Sequence, residues 1–398
     1  MIVHRATYLV AMELIFLVGV ALGQVVPVAE PLRNTTLQWI GISLVALAFH
    51  FNDRRVVMWL ALGSLALFAG IAWHNLVGDG TAWQLPNLKI FELLATARSE
   101  FVRFFATSLP VPYGNLVASI VLGGKGLISN ELRQSFIATG TLHIVAVSGY
   151  NVTIVLKIFV DWLKLLSPWL RFLVGSFVIV AFAALVGGQA SVVRAAILAW
   201  LLLVAQLTGR QGSVLPMLVF AATVMVIHKP SILLHDIGFQ LSFMAFLGLV
   251  YIAPLLKQAI GRLPIIGRSS ATVAILSETL GAQLAVLPIL LFHFGQLTPL
   301  SPIANFLILP IVPILTIAAL TIGILGSLAG PTLLPLAYPL YPIAWYIVAV
   351  TRWLAKLPGS GTTIEHWPWW LTVIAYLAIY LIVSHFWKRH VHPASHQT

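Results

Sequence analysis

The sequence contains no cysteine, which excludes disulfides, thiolate metal centres and thiol catalysis while leaving the compartment open. Charge is scarce as well: 8% of the 398 residues are Asp, Glu, Lys or Arg, against roughly 25% in a soluble domain. With 60% hydrophobic residues and a mean hydropathy of +0.99, such a chain cannot cover its own core in water. It reads as a polytopic membrane protein. Catalytic signatures are missing too. No His-Glu-x-x-His and no Gly-x-x-x-x-Gly-Lys-Ser/Thr occurs, so neither zinc hydrolysis nor ATP hydrolysis has a seat. Ala146-Val147-Ser148-Gly149 lacks the first glycine of the Gly-x-Ser-Gly turn that an intramembrane serine protease wants, and nothing selects His228, His235 or His293 as its partner. The expectation is a protein that is not an enzyme and uses no cofactor or metal.

The few charges are unbalanced, with Lys and Arg in excess to give a formal net charge of +11. In a membrane protein the positive-inside rule explains such an excess. A path for a polyanion such as nucleic acid is the sharper alternative, but the basic residues are scattered, which favours the first. A helical span needs about 20 mostly apolar residues. On that rule spans are predicted near 7–28, 37–51, 56–77, 142–163, 170–187, 191–208, 214–228, 236–254, 272–293, 301–328, 333–355 and 368–387. The fold class is thus all-α, a polytopic transmembrane helical bundle of about ten to twelve spans with broken or re-entrant helices. The first run is long, holds Glu13 and is followed by further spans, so it reads as a retained helix and not as a signal peptide. Basic stretches at Asp53-Arg54-Arg55 and Lys388-Arg389-His390 place both ends in the cytoplasm and the 78–100 connection outside. Three regions follow: an N-terminal three-helix membrane region at 1–86, a central transmembrane domain at 87–330, and C-terminal spans with a cytoplasmic tail at 331–398.

Residues 87–108 differ from the spans. Phe91, Leu94, Phe101, Phe104 and Phe105 can share one side of a helix, and Glu92, Arg98, Glu100 and Arg103 mark the other. The pattern suits an amphipathic helix lying in the membrane interface; a solvent-facing helix packed on the bundle fits it equally. Pro110, Pro112, Gly123, Gly124 and Gly126 then frame a short apolar helix at about 113–122 that re-enters the membrane or caps its outer end.

The polar exceptions lie inside the spans. Glu13, His143, Lys157, Gln189, Arg194, Asp236, Gln240, Glu278, Gln283 and Asn305 fall within or at the ends of predicted helices, where a charge costs about 2.5–3.5 kcal/mol at mid-depth. Each is expected to face the bundle interior, a partner or a wet cavity. Lys157 and Asp161, four apart, read as a snorkelling surface pair. Arg194 follows Gly187-Gly188-Gln189, a turn suited to phosphate oxygens, and would serve equally as an edge anchor. Asp236, Gln240 and Phe243 are spaced for one helix face. Gln283 lies in a segment running through Pro288, and Asn305 between Pro302 and Pro310, where prolines free carbonyls that protein or water must satisfy. The densest polar stretch is FIATGTLHIVAVSGYNVT at 136–153, carrying His143, Ser148 and Asn151 with Gly140 and Gly149 available to break the helix.

Five blocks in order resemble the ComEC family of competence proteins: LVASIVLGGKGLIS (116–129), ELRQSFIATGTLHIVAVSGYNV (131–152), GGQASVVRAAIL (187–198), PSILLHDIGFQLSFMAFLGLVY (230–251) and ETLGAQLAVLPILLFHFGQLTPLSPIANFLILPIVP (278–313). The resemblance implies a channel that passes single-stranded DNA across the cytoplasmic (inner) membrane in natural transformation. Its implied partners are the DNA strand, membrane lipids, an outside DNA receptor and a cytoplasmic motor or helicase, with a homodimer as one assembly. His143, Ser148, Asn151, Gln189, Arg194, Asp236, Gln240, Glu278, Gln283 and Asn305 are then the expected channel-lining or DNA-contacting residues. The sequence also departs from the family. The stretch after the third span is too short for the OB-like extracytoplasmic domain of larger members, no His-x-His-x-Asp-His nuclease motif occurs, and Asn151 stands where a histidine is frequent. Outside strand capture and nuclease activity are therefore not expected. A secondary transporter for a small anionic solute is the alternative, and an intramembrane hydrolase at Ser148 a third reading.

Overall fold

In the computed structural model, residues 2–25, 66, 69–70, 89–124, 126–145, 165, 167–187, 190–209, 214–264 and 269–390 are described. In chain order the helices are α1 (Ile2–Val25), α2 (Lys89–Ser108), α3 (Tyr113–Leu122), α4 (Asn130–Ala138), α5 (Leu142–Val145), α6 (Pro168–Val186), α7 (Ala190–Leu207), α8 (Val214–His228), α9 (Ile232–His235) and α10 (Ile237–Leu247). A π turn, Gly248–Ile252, joins α10 to α11 (Ala253–Gly261), and α12 (Ser270–Phe294) follows. Then come β1 (Gln296–Leu297), α13 (Ser301–Ile308), α14 (Val312–Ala329), a 3-10 stretch Gly330–Leu340, α15 (Tyr341–Ala355), β2 (Thr362–Thr363) and α16 (Trp369–His390). Two compact units divide the chain. The first takes Met1–Pro86, Leu163–Ile179 and Val193–Gln240; the second takes Asn87–Trp162, Val180–Val192 and Leu241–Thr398.

Among the described residues, six helices are long and apolar enough to cross a membrane: Pro168–Val186, Ala190–Leu207, Ile237–Gly261, Ser270–Phe294, Thr332–Ala355 and Trp369–Trp387. A seventh span arises if α13 and α14, bent by 49° across their break, cross together. This is the polytopic all-helical class expected from composition. Val214–His228, α8, is a shorter apolar helix of 15 residues. The predicted spans at 37–51, 56–77 and 142–163 lie chiefly outside the described residues.

The amphipathic helix α2 is present, and the second unit shows what its aromatic face does. Phe101, Phe104 and Phe105 are buried, with edge-to-face rings 5.2 Å apart in both pairs. They pack against α3 and α14. A side chain on Gly323 or Gly326 of α14 would run into the Phe101 and Phe104 rings, so two bare backbone positions receive two aromatics. Each such burial is worth about 1.5–3 kcal/mol. Phe101, Phe104 and Phe105 are therefore taken by protein.

α12 runs unbroken through Pro288. It opens with Ser269, whose hydroxyl accepts from the Thr272 N–H at 3.3 Å, and it closes on Gly295 in the left-handed conformation (φ 60°), a backbone state that favours glycine. The chain then turns into the short antiparallel ladder in which Gln296 faces Thr363 and Leu297 faces Thr362. At Pro310 the apolar helix has no N–H to continue with, and α13 stops at Ile308.

Candidate functional site

Two interruptions of apolar helix carry Asp236, Gln240, Gln283 and Asn305. In the first unit, α9 ends and Asp236 adopts an extended conformation (φ −97°, ψ 100°) before α10 begins. Its Oδ1 accepts from the Phe239 N–H at 2.8 Å, a helix N-cap. From inside α10, Gln240 reaches back and donates through Nε2 to Leu233 O at 3.2 Å and Leu234 O at 2.8 Å. The two side chains thus bracket the break, one satisfying the new helix and the other the old. The expectation that Asp236 shares a helix face with Gln240 fails, because Asp236 stands before the helix. Gln24 of α1 donates to the nearby Pro230 O at 2.5 Å, tying the first helix to the same turn. Arg194, also in this unit, is buried in α7 with 8% exposure.

The second unit holds the other interruption. Gln283 on α12 donates through Nε2 to Thr298 O at 3.1 Å. Three residues on, Ser301 opens α13, and its Oγ accepts from Asn305 Nδ2 at 3.2 Å. Gly140, with φ 68°, lies against both: a Cβ there would sit 2.7 Å from Thr298 Oγ1 and 2.8 Å from Ser301 Oγ. Its neighbours Thr139 and Thr141 are fully buried and their hydroxyls pair at 2.7 Å. Where α13 gives way to α14, the Tyr346 hydroxyl donates to Leu307 O at 3.4 Å, so part of the backbone at the break is satisfied by a side chain.

The amide oxygens are another matter. Asn305 is 5% exposed, yet its Oδ1 has no hydrogen-bond partner among the described residues, and neither does the buried Oε1 of Gln283. The hydroxyls of Thr316 on α14 and Thr351 on α15, both fully buried, are in the same state. An unpaired buried acceptor costs on the order of 1–3 kcal/mol, so each of these groups calls for a partner beyond the hydrogen bonds of the described residues. The unpartnered amide atoms are neutral acceptors. They suit N–H donors and offer nothing that would trap a phosphate.

Two of the remaining candidates, His143 and Glu278, are among the described residues. His143 on α5 is exposed, with Nδ1 3.1 Å from Gly140 O. Glu278 is exposed on α12 although Ser277 and Thr279 beside it are buried. Ser148, Gly149, Asn151 and Gln189 lie outside the described residues. Reading the chain residue by residue also missed Arg98, which it assigned to the polar side of α2. Arg98 Nη1 donates to Val186 O at 2.6 Å and Leu185 O at 3.2 Å, and Nη2 to Gly123 O at 3.2 Å. One guanidinium therefore closes the C-terminal ends of α6 and α3 at once, where helix carbonyls lack partners. Burial lowers its pKa from the ordinary arginine value.

The competence protein family model matches residues 120–389, a stretch that contains both interruptions. Among curated proteins, the chain is 25% identical over 305 residues to "Uncharacterized protein YcaI" of Escherichia coli (strain K12), an alignment covering 72% of this chain and 40% of that protein. It is 25% identical over 267 residues to "ComE operon protein 3" of Bacillus subtilis (strain 168), covering 65% of this chain and 32% of that protein. The chain thus spans 40% and 32% of the length of these two relatives. No solved structure matches.

Proposed function

This chain belongs to the competence protein family, and from that premise we propose that it serves DNA uptake in natural transformation as a channel passing single-stranded DNA across the cytoplasmic membrane. Family membership and the likeness to ComE operon protein 3 support the role in uptake. The observation that carries the finer reading is the pair of buried amide oxygens of Gln283 and Asn305, unpartnered among the described residues, beside a broken helix. A strand crossing a bilayer needs a path polar enough to enter and weak enough to leave. Neutral acceptors meet both needs, since they can take hydrogen bonds from base amino and imino groups and exert no pull on phosphate. A carrier for a small anion would need donors at this place, whereas the amide atoms left over on Gln283 and Asn305 are acceptors. The reading gives the chain no bond-breaking step: a cytoplasmic motor or helicase would draw the strand, an outside receptor would deliver it, and a homodimer is a natural assembly.

The test is entry of fluorescent single-stranded DNA into proteoliposomes loaded with a DNA-binding protein that traps arriving strands. Accumulation above empty vesicles, reduced by Asn305→Leu and Gln283→Leu in properly inserted protein, is the expected result. Wild-type vesicles that take up no more than empty ones sink the proposal.

A further inference from the structure

A cleft of about 550 Å³ opens at the end of α12, between the last turn of that helix and the segment leading from β2 into α16. Its size lies within the range of small-ligand sites, roughly 300–1,000 Å³. His293 and Phe294 line it from one side, and Glu365, His366 and Trp367 from the other. Its walls are fixed by backbone. Ile364 N–H donates to Gly295 O at 2.7 Å, the β1–β2 ladder runs directly alongside, and a Cβ on Gly295 would lie 2.5 Å from Ile364 O. The cleft is preformed.

Its contents narrow the ligand. Four of the five named side chains are flat π systems, and Phe294 is 49% exposed. His293, Glu365 and His366 are exposed and supply hydrogen-bond donors and acceptors. No Lys or Arg lines the cleft, so a phosphate has no anchor there. Among the described residues no group of three or more His, Cys, Asp or Glu is gathered to hold a metal ion, so the two imidazoles and the carboxylate do not read as a metal site. Trp369 and Trp370 begin α16 at 68% and 49% exposure, the aromatic signature of a membrane–water boundary. A carboxylate and two imidazoles make poor surroundings for an acyl chain. Flat rings beside exposed hydrogen-bonding side chains match a nucleobase, whose two faces stack and whose rim donates and accepts.

We propose that this cleft is a stacking site for the bases of an unpaired DNA strand at the mouth of the protein. The inference rests on the reading of the chain as a DNA-uptake protein and adds to it a place where the strand is held by bases and not by phosphates. The experiment uses the full chain in nanodiscs, with fluorescence anisotropy of labelled oligodeoxycytidine and of an abasic strand of the same length. Trp367→Ala and the paired His293→Ala, His366→Ala variant should each weaken oligodeoxycytidine binding about tenfold, the scale of one lost base–aromatic stack. Binding of the abasic strand should not change, and Trp367→Phe should restore most of the loss. Salt dependence of the lost component should be shallow, because no phosphate contact is released. Unchanged oligodeoxycytidine binding in both variants overturns the site, as does an equal loss on the abasic strand. Brominated-lipid quenching that Trp367→Ala diminishes and DNA fails to relieve also overturns it, since lipid then occupies the cleft. Vesicle uptake by the same variants separates the two readings. If wild-type protein passes DNA while the cleft variants bind normally, only the cleft proposal falls; if wild-type protein neither binds nor passes DNA, both fall.

Discussion

At the break before α10, Asp236 and Gln240 commit the polar atoms described above to neighbouring backbone; at the break around α13, Gln283 and Asn305 commit their amide nitrogens and leave their carbonyl oxygens buried and unmatched among the described residues. Both sites sit at interrupted apolar helix, and both lie within the family match. Residue type alone does not say which of them the fold explains. Partnering separates these four side chains, although at the first break the buried Gln24 Oε1 is likewise without a partner among the described residues. A polar side chain that closes a helix end is explained by the fold, because backbone groups at such an end must be satisfied somewhere. One that remains unmatched in the interior lowers stability unless something else meets it, and it is there that function should be sought. Arg98 falls on the first side of the line, with three backbone carbonyls on one guanidinium.

The largest effect expected from this contrast is on transport. Each hydrogen bond that a passing base loses is worth about 1.4 kcal/mol, or tenfold, so the joint Asn305→Leu, Gln283→Leu variant should cut strand entry on the order of a hundredfold. Its unfolding free energy in detergent should move by less than about 1 kcal/mol, because leucine removes unmatched acceptors along with the nitrogens' bonds. A protein that loses stability and keeps its transport would put these amides in the same class as Asp236 and erase the contrast.

Gly140→Ala should come next, acting on folding. The position combines a left-handed backbone, which costs a non-glycine residue about 1–2 kcal/mol, with hydroxyls 2.7 and 2.8 Å from the new methyl group. Chemical unfolding should show a loss of about 2 kcal/mol or more. Arg98→Ala should cost about 2 kcal/mol, since it leaves the carbonyl ends of two helices without their common donor. Arg98→Lys should recover only part, because an ammonium lacks the planar fork that reaches carbonyls on two helices.

Much of this architecture could be read from the chain. The length and apolarity of the runs at 170–187, 191–208 and 272–293 correspond to α6, α7 and α12, and the prolines around Asn305 announce the bend between α13 and α14. What stayed hidden has a common cause. Inside a membrane segment hydrophobicity is continuous through a break, so periodicity does not show where one helix stops and the next starts, and Asp236 was placed on a helix face when it caps one. Arg98 looked like one charge on the polar side of α2 because its partners lie 25, 87 and 88 residues away. The glycines that receive Phe101 and Phe104 are likewise remote, at 323 and 326. An unmatched oxygen cannot be seen without coordinates at all, which is why Gln283 and Asn305 were two names among ten candidates.

The smallest effects test the bracket itself. Asp236→Ala should cost about 1 kcal/mol, the usual loss of an N-cap, and strand entry should fall only in proportion to the folded protein recovered. Asp236→Asn is the sharper variant. Asparagine caps a helix about as well as aspartate, so the Phe239 N–H keeps its acceptor while the carboxylate charge disappears. If the bracket is architecture, this variant should match wild type within about 0.5 kcal/mol in stability and should pass DNA normally. If it folds and inserts like wild type yet stops transport, the charge of Asp236 acts on the strand directly, and a side chain satisfied by the backbone has a second duty that its hydrogen bonds do not reveal.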